Sequence, residues 1–136
     1  MPPTYPDVTD GQLNNYTYNA SVISVVDGDT IDVEIDLGFE TRITARVRVA
    51  DVNTAEVYGV DKDSTEYALG AAHQAETETF VENGSEAYEW PFYLYSREYE
   101  RGKYGRIIGS LYSKAQDEWL RQTLINTFGD EVRNDE

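Results

Sequence analysis

Residues 25–36 read VVDGDTIDVEID and place five carboxylates in twelve positions. Ile31, Val33 and Ile35 share one face of a period-2 strand, and Asp32, Glu34 and Asp36 share the other. Asp27-Gly28 marks a hairpin turn in front of that strand. Counted back through the alternation, Asp29 falls on the apolar side. A carboxylate on a buried face needs a partner, because an unpaired buried charge is very costly. Asp29 is therefore set apart from the other four.

Working outward, three strands are expected at Tyr16–Val26, Thr30–Leu37 and Glu40–Val52, the last two meeting around Gly38. In the third, Ile43, Ala45, Val47 and Val49 alternate with Arg42, Thr44, Arg46 and Arg48. Asp32, Glu34 and Asp36 across the hairpin are natural ion-pair partners for Arg42 and Arg46. Arg48 is less well explained that way. Residues 64–83 read as a helix, with Ser64 or Thr65 as N-cap, Asn83-Gly84 as stop and Tyr67, Ala71, Ala75 and Phe80 as its apolar stripe. Strands at Tyr88–Tyr99 and Gly105–Ser113 follow, and Gln116–Phe128 reads as a second helix with Leu120, Leu124 and Phe128 on one face. The order β-β-β-α-β-β-α predicts an α+β fold, a five-stranded OB-fold barrel with two packed helices. Residues 1–15 are expected to be a lead-in, 16–129 the domain and 130–136 a frayed acidic tail.

Eleven Lys and Arg stand against 26 Asp and Glu, a formal net charge of −15. A hydrophobic content of 40% and an aromatic content of 12% argue for a folded core rather than a disordered acidic chain. Only Lys62, Lys103 and Lys114 are lysines. Abundant surface carboxylates with scarce lysine fit adaptation to molar salt, where the Debye length is only ~3 Å and distant charges hardly repel. Net charge then says little about partners. No apolar run approaches the ~20 residues of a membrane helix. The first residues lack a signal-peptide pattern; the compartment stays open, with the cytoplasm of a halophile preferred to secretion. Cysteine is absent, which excludes disulfides and thiolate metal sites.

Three motifs stand in order: DGDT at residues 27–30, R-x₄-N-T-A-E from Arg48 to Glu56, and GKYGR from Gly102 to Arg106. From about Val22 to Phe128 the set resembles the staphylococcal nuclease (thermonuclease) family, whose pattern is DGDT, R-x₄-D-T-P-E and D-K-Y-G-R. FVEN at the first helix end and WLRQTL in the second belong to the same resemblance. It implies a Ca²⁺-dependent, sugar-nonspecific nuclease that hydrolyses DNA, and RNA as a second substrate, to 3′-phosphate products. Asp29, Asn53 and the Thr54 carbonyl then match the Ca²⁺ ligands, a donor set of the all-oxygen kind hard cations take. Glu56 matches the general base or water-positioning residue. Arg48 and Arg106 match the arginines that grip the scissile phosphate, which a planar guanidinium does bidentately. Asp27 matches a carboxylate behind the metal ligands, and Lys103 and Tyr104 match positions near the substrate.

The chain also departs from that pattern. The family's second Asp ligand is Asn53 here, which keeps an oxygen but loses a charge, so weak metal binding is expected. Its proline is Ala55. The nucleotide-binding tyrosines beyond the second helix have no counterpart, and Tyr58, Tyr93, Tyr95, Tyr99 and Tyr112 are the available substitutes. An alternative is a catalytically impaired module of the same shape that binds nucleic acid or protein. A monomer is expected. His73, the single histidine, is expected on the helix surface or in packing. The run Asp61 to Thr65 lacks the glycine of a calcium loop and reads as solvated.

Overall fold

The computed structural model describes residues 16–55, 63–85, 89–99 and 106–133. Six strands form one sheet: β1 (Thr17–Asp27), β2 (Thr30–Gly38), β3 (Thr41–Val49), β4 (Phe92–Tyr99), β5 (Ile107–Ser113) and the two-residue β6 (Glu118–Trp119). Helix α1 (Thr65–Gly84) lies between β3 and β4, and α2 (Leu120–Phe128) follows β6 and runs into a 3₁₀ turn (Gly129–Val132). The sheet order is β3-β2-β1-β4-β5-β6. Val47–Val49 of β3 also pair in parallel with Ile107–Gly109 of β5. That seam closes β1 to β5 into a barrel, with the two helices packed on it. The predicted OB-fold architecture is what forms; β6 is an addition to it.

The alternation of the opening stretch sets the core. Ile31, Val33 and Ile35 are buried and join Val47, Val49, Leu94 and Leu111 inside the barrel cluster, with Phe80 of α1 and Leu120 and Leu124 of α2. The alternate side chains of β2 stay partly exposed. Asp32 stands opposite Arg46 in the register and accepts two hydrogen bonds from it, at 2.9 and 3.3 Å. Arg42 reaches Glu34 at 3.5 Å and lies over the Trp90 ring. Exposed pairs of this kind each contribute at most about 1 kcal/mol. Their effect is register, since a one-residue slip would put the carboxylates into the core.

Five sequence expectations need correction. The tail expected to fray from residue 130 starts as a 3₁₀ turn, with Val132 fully buried. β3 ends at Val49, not Val52, because Asp51 turns into the left-handed region (φ 66°), where Arg97 grips it at 2.8 and 2.9 Å. β4 begins at Phe92 rather than Tyr88, though residues 86–88 lie outside the described residues. The second helix begins at Leu120 rather than Gln116. Asp117 has φ 53°, and the Gln116 side-chain Nε2 donates to the Phe80 carbonyl and Ser113 Oγ. In α1 only Phe80 of the expected stripe is buried: Ala71 and Ala75 are exposed, and the covered face is Gly70, His73, Thr77, Phe80 and Gly84. The expected cap is correct, with Ser64 Oγ accepting from the Tyr67 amide. Among the described residues no helix is long and apolar enough to cross a membrane.

Candidate functional site

In the DGDT hairpin Asp27 pairs with Thr30, so Gly28 and Asp29 are the two residues of the turn. The Asp29 amide donates to Asp27 Oδ1 at 3.1 Å, a short side-chain cap that fixes the turn. Its carbonyl accepts from the Val49 amide at 2.8 Å, which docks the turn against the end of β3. The residue is only 8% exposed. The partner its position required is in fact three partners: Thr30 Oγ1 donates to Oδ1 at 3.0 Å, the Thr54 amide donates to Oδ2 at 2.9 Å, and Arg48 Nη2 lies 3.3 Å from Oδ2.

Arg48 leaves the row of cross-strand pairs formed by Arg42 and Arg46. Its Nη1 donates to its neighbour's carbonyl, Val49 O, at 2.6 Å, and its Nη2 donates to Asn53 Oδ1 as well as facing Asp29. One guanidinium nitrogen thus joins the two side-chain oxygens proposed from sequence as metal ligands. Gly28 permits the close packing beneath them. A Cβ there would stand 2.8 Å from the His73 Cβ and 2.8 Å from Thr54 Cγ2, too close for either to remain in place.

The three residues after Val52 are each held by a different element. The Asn53 amide donates to the Val132 carbonyl at 2.8 Å, Thr54 to Asp29 as above, and Ala55 to His73 Nδ1 at 2.9 Å. Thr77 Oγ1 completes the attachment of α1 by donating to the Gly28 carbonyl at 2.7 Å. The result is a polar cleft of about 490 Å³ whose walls include Asp27, Asp29, Thr30, Arg48, Asn53, Thr54, Ala55 and Arg106. Glu66, from the first turn of α1, adds a carboxylate to that wall.

The structure therefore brings Asp27, Asp29, Arg48, Asn53, Thr54 and Arg106 together around one cleft. Glu56, Lys103 and Tyr104 lie outside the described residues, as does Tyr58. Glu66, His73 and Thr77 were missed as site residues. Only Glu66 carried a sequence signal, an acid in the first turn of a helix. His73 is buried rather than on the surface, edge-on to Phe128 with ring centroids 4.4 Å apart.

Two carboxylates face each other at the hairpin. Burial first, and then the hydrogen bond and charge of Asp29, push the Asp27 carboxyl up from 3.8 to about 6. The folded protein thus holds this proton more tightly than the unfolded chain. The stabilising contribution is complete below the unfolded value and is lost as pH rises through about 6. In chelator, Asp27→Asn is expected to flatten the fall of the urea midpoint between pH about 4 and about 6. An equal slope in wild type and variant would remove Asp27 from the titration.

Among the described residues no three His, Cys, Asp or Glu side chains gather as a metal-holding group. A hard cation can equally use amide and backbone oxygens, and two observations fit one here. Asp29 Oδ2 and Asn53 Oδ1 converge on the same positively charged nitrogen. Thr54 Oγ1, beside them, is buried with no hydrogen-bond partner among the described residues. A second cavity, of about 300 Å³, lies toward the far ends of β2 and β3 and is lined mainly by apolar side chains such as Ile35, Leu37 and Ile43. It lacks the chemistry of the first. No protein-family model matches this chain, and no curated protein matches it. The nuclease resemblance rests on the ordered motifs alone.

Proposed function

We propose that this protein is a Ca²⁺-dependent nuclease of the staphylococcal-nuclease kind, hydrolysing phosphodiester bonds of DNA, and RNA as a second substrate, to 3′-phosphate products in molar salt. The observation that carries the reading is the convergence of Asp29, Asn53 and Arg48 on one polar cleft with Arg106 on its wall. An OB-fold barrel is a shape suited to binding nucleic acid.

Asp29, Asn53 and the Thr54 carbonyl are the groups to hold Ca²⁺. When bound, the ion supplies a Lewis acid for a phosphoryl oxygen. Arg48 and Arg106 donate to the non-bridging phosphate oxygens and answer the charge that grows there in the five-coordinate state. Glu56 orients or deprotonates the attacking water. Arg48 has a second state in this scheme. Without metal its guanidinium supplies the positive charge between Asp29 and Asn53, and with substrate it turns to the phosphate.

The test is plasmid DNA incubated with the protein in molar salt, with Ca²⁺ or with chelator. Cleavage that the chelator stops supports the reading, and intact DNA with Ca²⁺ present refutes it. One observation favours a second reading, a non-cleaving binding module: Asn53 gives the cleft no second charged ligand, and Arg48 already holds its oxygen. Salt-tolerant retention of DNA without cleavage selects that reading.

A further inference from the structure

The structure assigns a role to His73: we propose that it is a positioning residue that aims the Thr54 carbonyl into the cleft by holding the next amide. The inference rests on Thr54 being a ligand as read above, but its geometry stands independently. Ala55 N–H and Thr54 C=O belong to one peptide unit, and a trans peptide directs them oppositely. The structure has no cis peptide among the described residues. His73 Nδ1 accepts the Ala55 N–H at 2.9 Å, so the Thr54 carbonyl is turned away from α1. Thr54 is among the residues that line the cleft.

The ring is fitted for this task. It is 2% exposed, so its Nδ1 is held for the Ala55 amide rather than shared with solvent. Accepting at Nδ1 fixes the neutral ring in the tautomer that carries its proton on Nε2. Nε2 stands 3.5 Å from Glu131 Oε1. Phe128 packs edge-on against the ring. The backbone of α1 is fixed against the hairpin by Thr77 donating to Gly28 O. His73 therefore refers the direction of one peptide plane to a rigid helix.

The residue type at 55 completes the argument. The pattern this loop resembles has proline there, which sets its own φ and has no N–H to give. Alanine is free in φ and adds a half-buried N–H donor that needs an acceptor. His73 supplies the acceptor and restores by a hydrogen bond the direction that a proline ring would impose.

The experiment uses the full chain. His73 is the single histidine, so its ring nitrogens are unambiguous in ¹⁵N spectra. An unprotonated Nδ1 with a proton on Nε2, and an Ala55 amide protected from exchange, are expected in the wild type. Asparagine carries an oxygen close to the place of Nδ1, whereas leucine fills the space without an acceptor. His73→Leu is expected to release the Ala55 amide and weaken Ca²⁺ binding about tenfold by calorimetry, about 1.4 kcal/mol. His73→Asn should keep the amide protected and bind within about twofold of wild type. In an Ala55→Pro background, His73→Leu should change Ca²⁺ affinity less than twofold, because the donor is gone. A proton on Nδ1, or equal Ala55 exchange in wild type and His73→Leu, overturns the role of His73. Absence of Ca²⁺ binding by a wild type whose Ala55 amide is protected overturns the metal reading instead, and leaves the hydrogen bond as the finding.

Discussion

Asp29→Ala is expected to abolish Ca²⁺-dependent cleavage and to lower stability by about 2–3 kcal/mol. Both effects come from the same carboxylate. Its Oδ2 is the acceptor for the Thr54 amide and the counter-charge for Arg48, and its Oδ1 accepts from Thr30. Alanine leaves the half-buried Thr54 amide without its acceptor, at the lower end of the roughly 1–3 kcal/mol that an unsatisfied buried donor costs. It also leaves Arg48 without its carboxylate. Removing one member of a fully buried ion pair costs roughly 3–5 kcal/mol. The smaller figure applies because the Arg48 side chain is 21% exposed and keeps Val49 O and Asn53 Oδ1. For metal binding the loss is greater, since Asn53 is neutral and Asp29 is the charged member of the proposed set. Urea denaturation in chelator measures the first effect, and plasmid cleavage with calorimetric Ca²⁺ titration the second. Cleavage within tenfold of wild type would eliminate Asp29 as a ligand.

Arg48→Ala is expected to move two readouts in opposite directions. Cleavage should fall about 10²–10³-fold, the usual effect of losing one donor to developing negative charge. Ca²⁺ affinity should rise several-fold. In the metal-free protein Arg48 Nη2 engages both Asp29 and Asn53, so a cation has to displace it and then share the cleft with its positive charge. Alanine removes both obstacles. Arg48→Lys should recover little of the cleavage, because an ammonium cannot make the paired donation of a guanidinium. If Arg48 were a structural ion pair only, cleavage would survive in the alanine variant in proportion to the folded fraction. A thermal melt run beside the assay separates those outcomes.

What could be read in advance followed the backbone's own periods. The two-residue alternation of β2 placed its apolar side chains in the barrel and singled out Asp29 as a carboxylate on the wrong face, and both hold. The motif order placed Arg48, Asn53, Thr54 and Arg106 around one cleft, and they do meet there. The buried face of α1 was hidden apart from Phe80, because its other members carry no apolar signature. Gly70 and Gly84 give closeness, and His73 and Thr77 give hydrogen bonds to Ala55 and Gly28. A buried polar side chain is explained by its partner, and those partners lie in other elements. The second helix was read four residues too long for a related reason. Gln116 and Asp117 have ordinary helical surroundings in sequence, but Gln116 bonds across to Phe80 O, and Asp117 takes a conformation no helix contains.

The three contacts that draw the hairpin, the loop and α1 together join residues 25, 18 and 49 positions apart. Each requires a chain loop to be closed before it forms, and closure of loops that long is an entropic cost met early and recovered late. The β1–β2 hairpin can form from neighbours alone. The cleft cannot, because its floor is shared among the turn, the strand end and the helix. During refolding, competence of the site should therefore appear with the final closure of the barrel, and a chain that has gained its secondary structure is still inert.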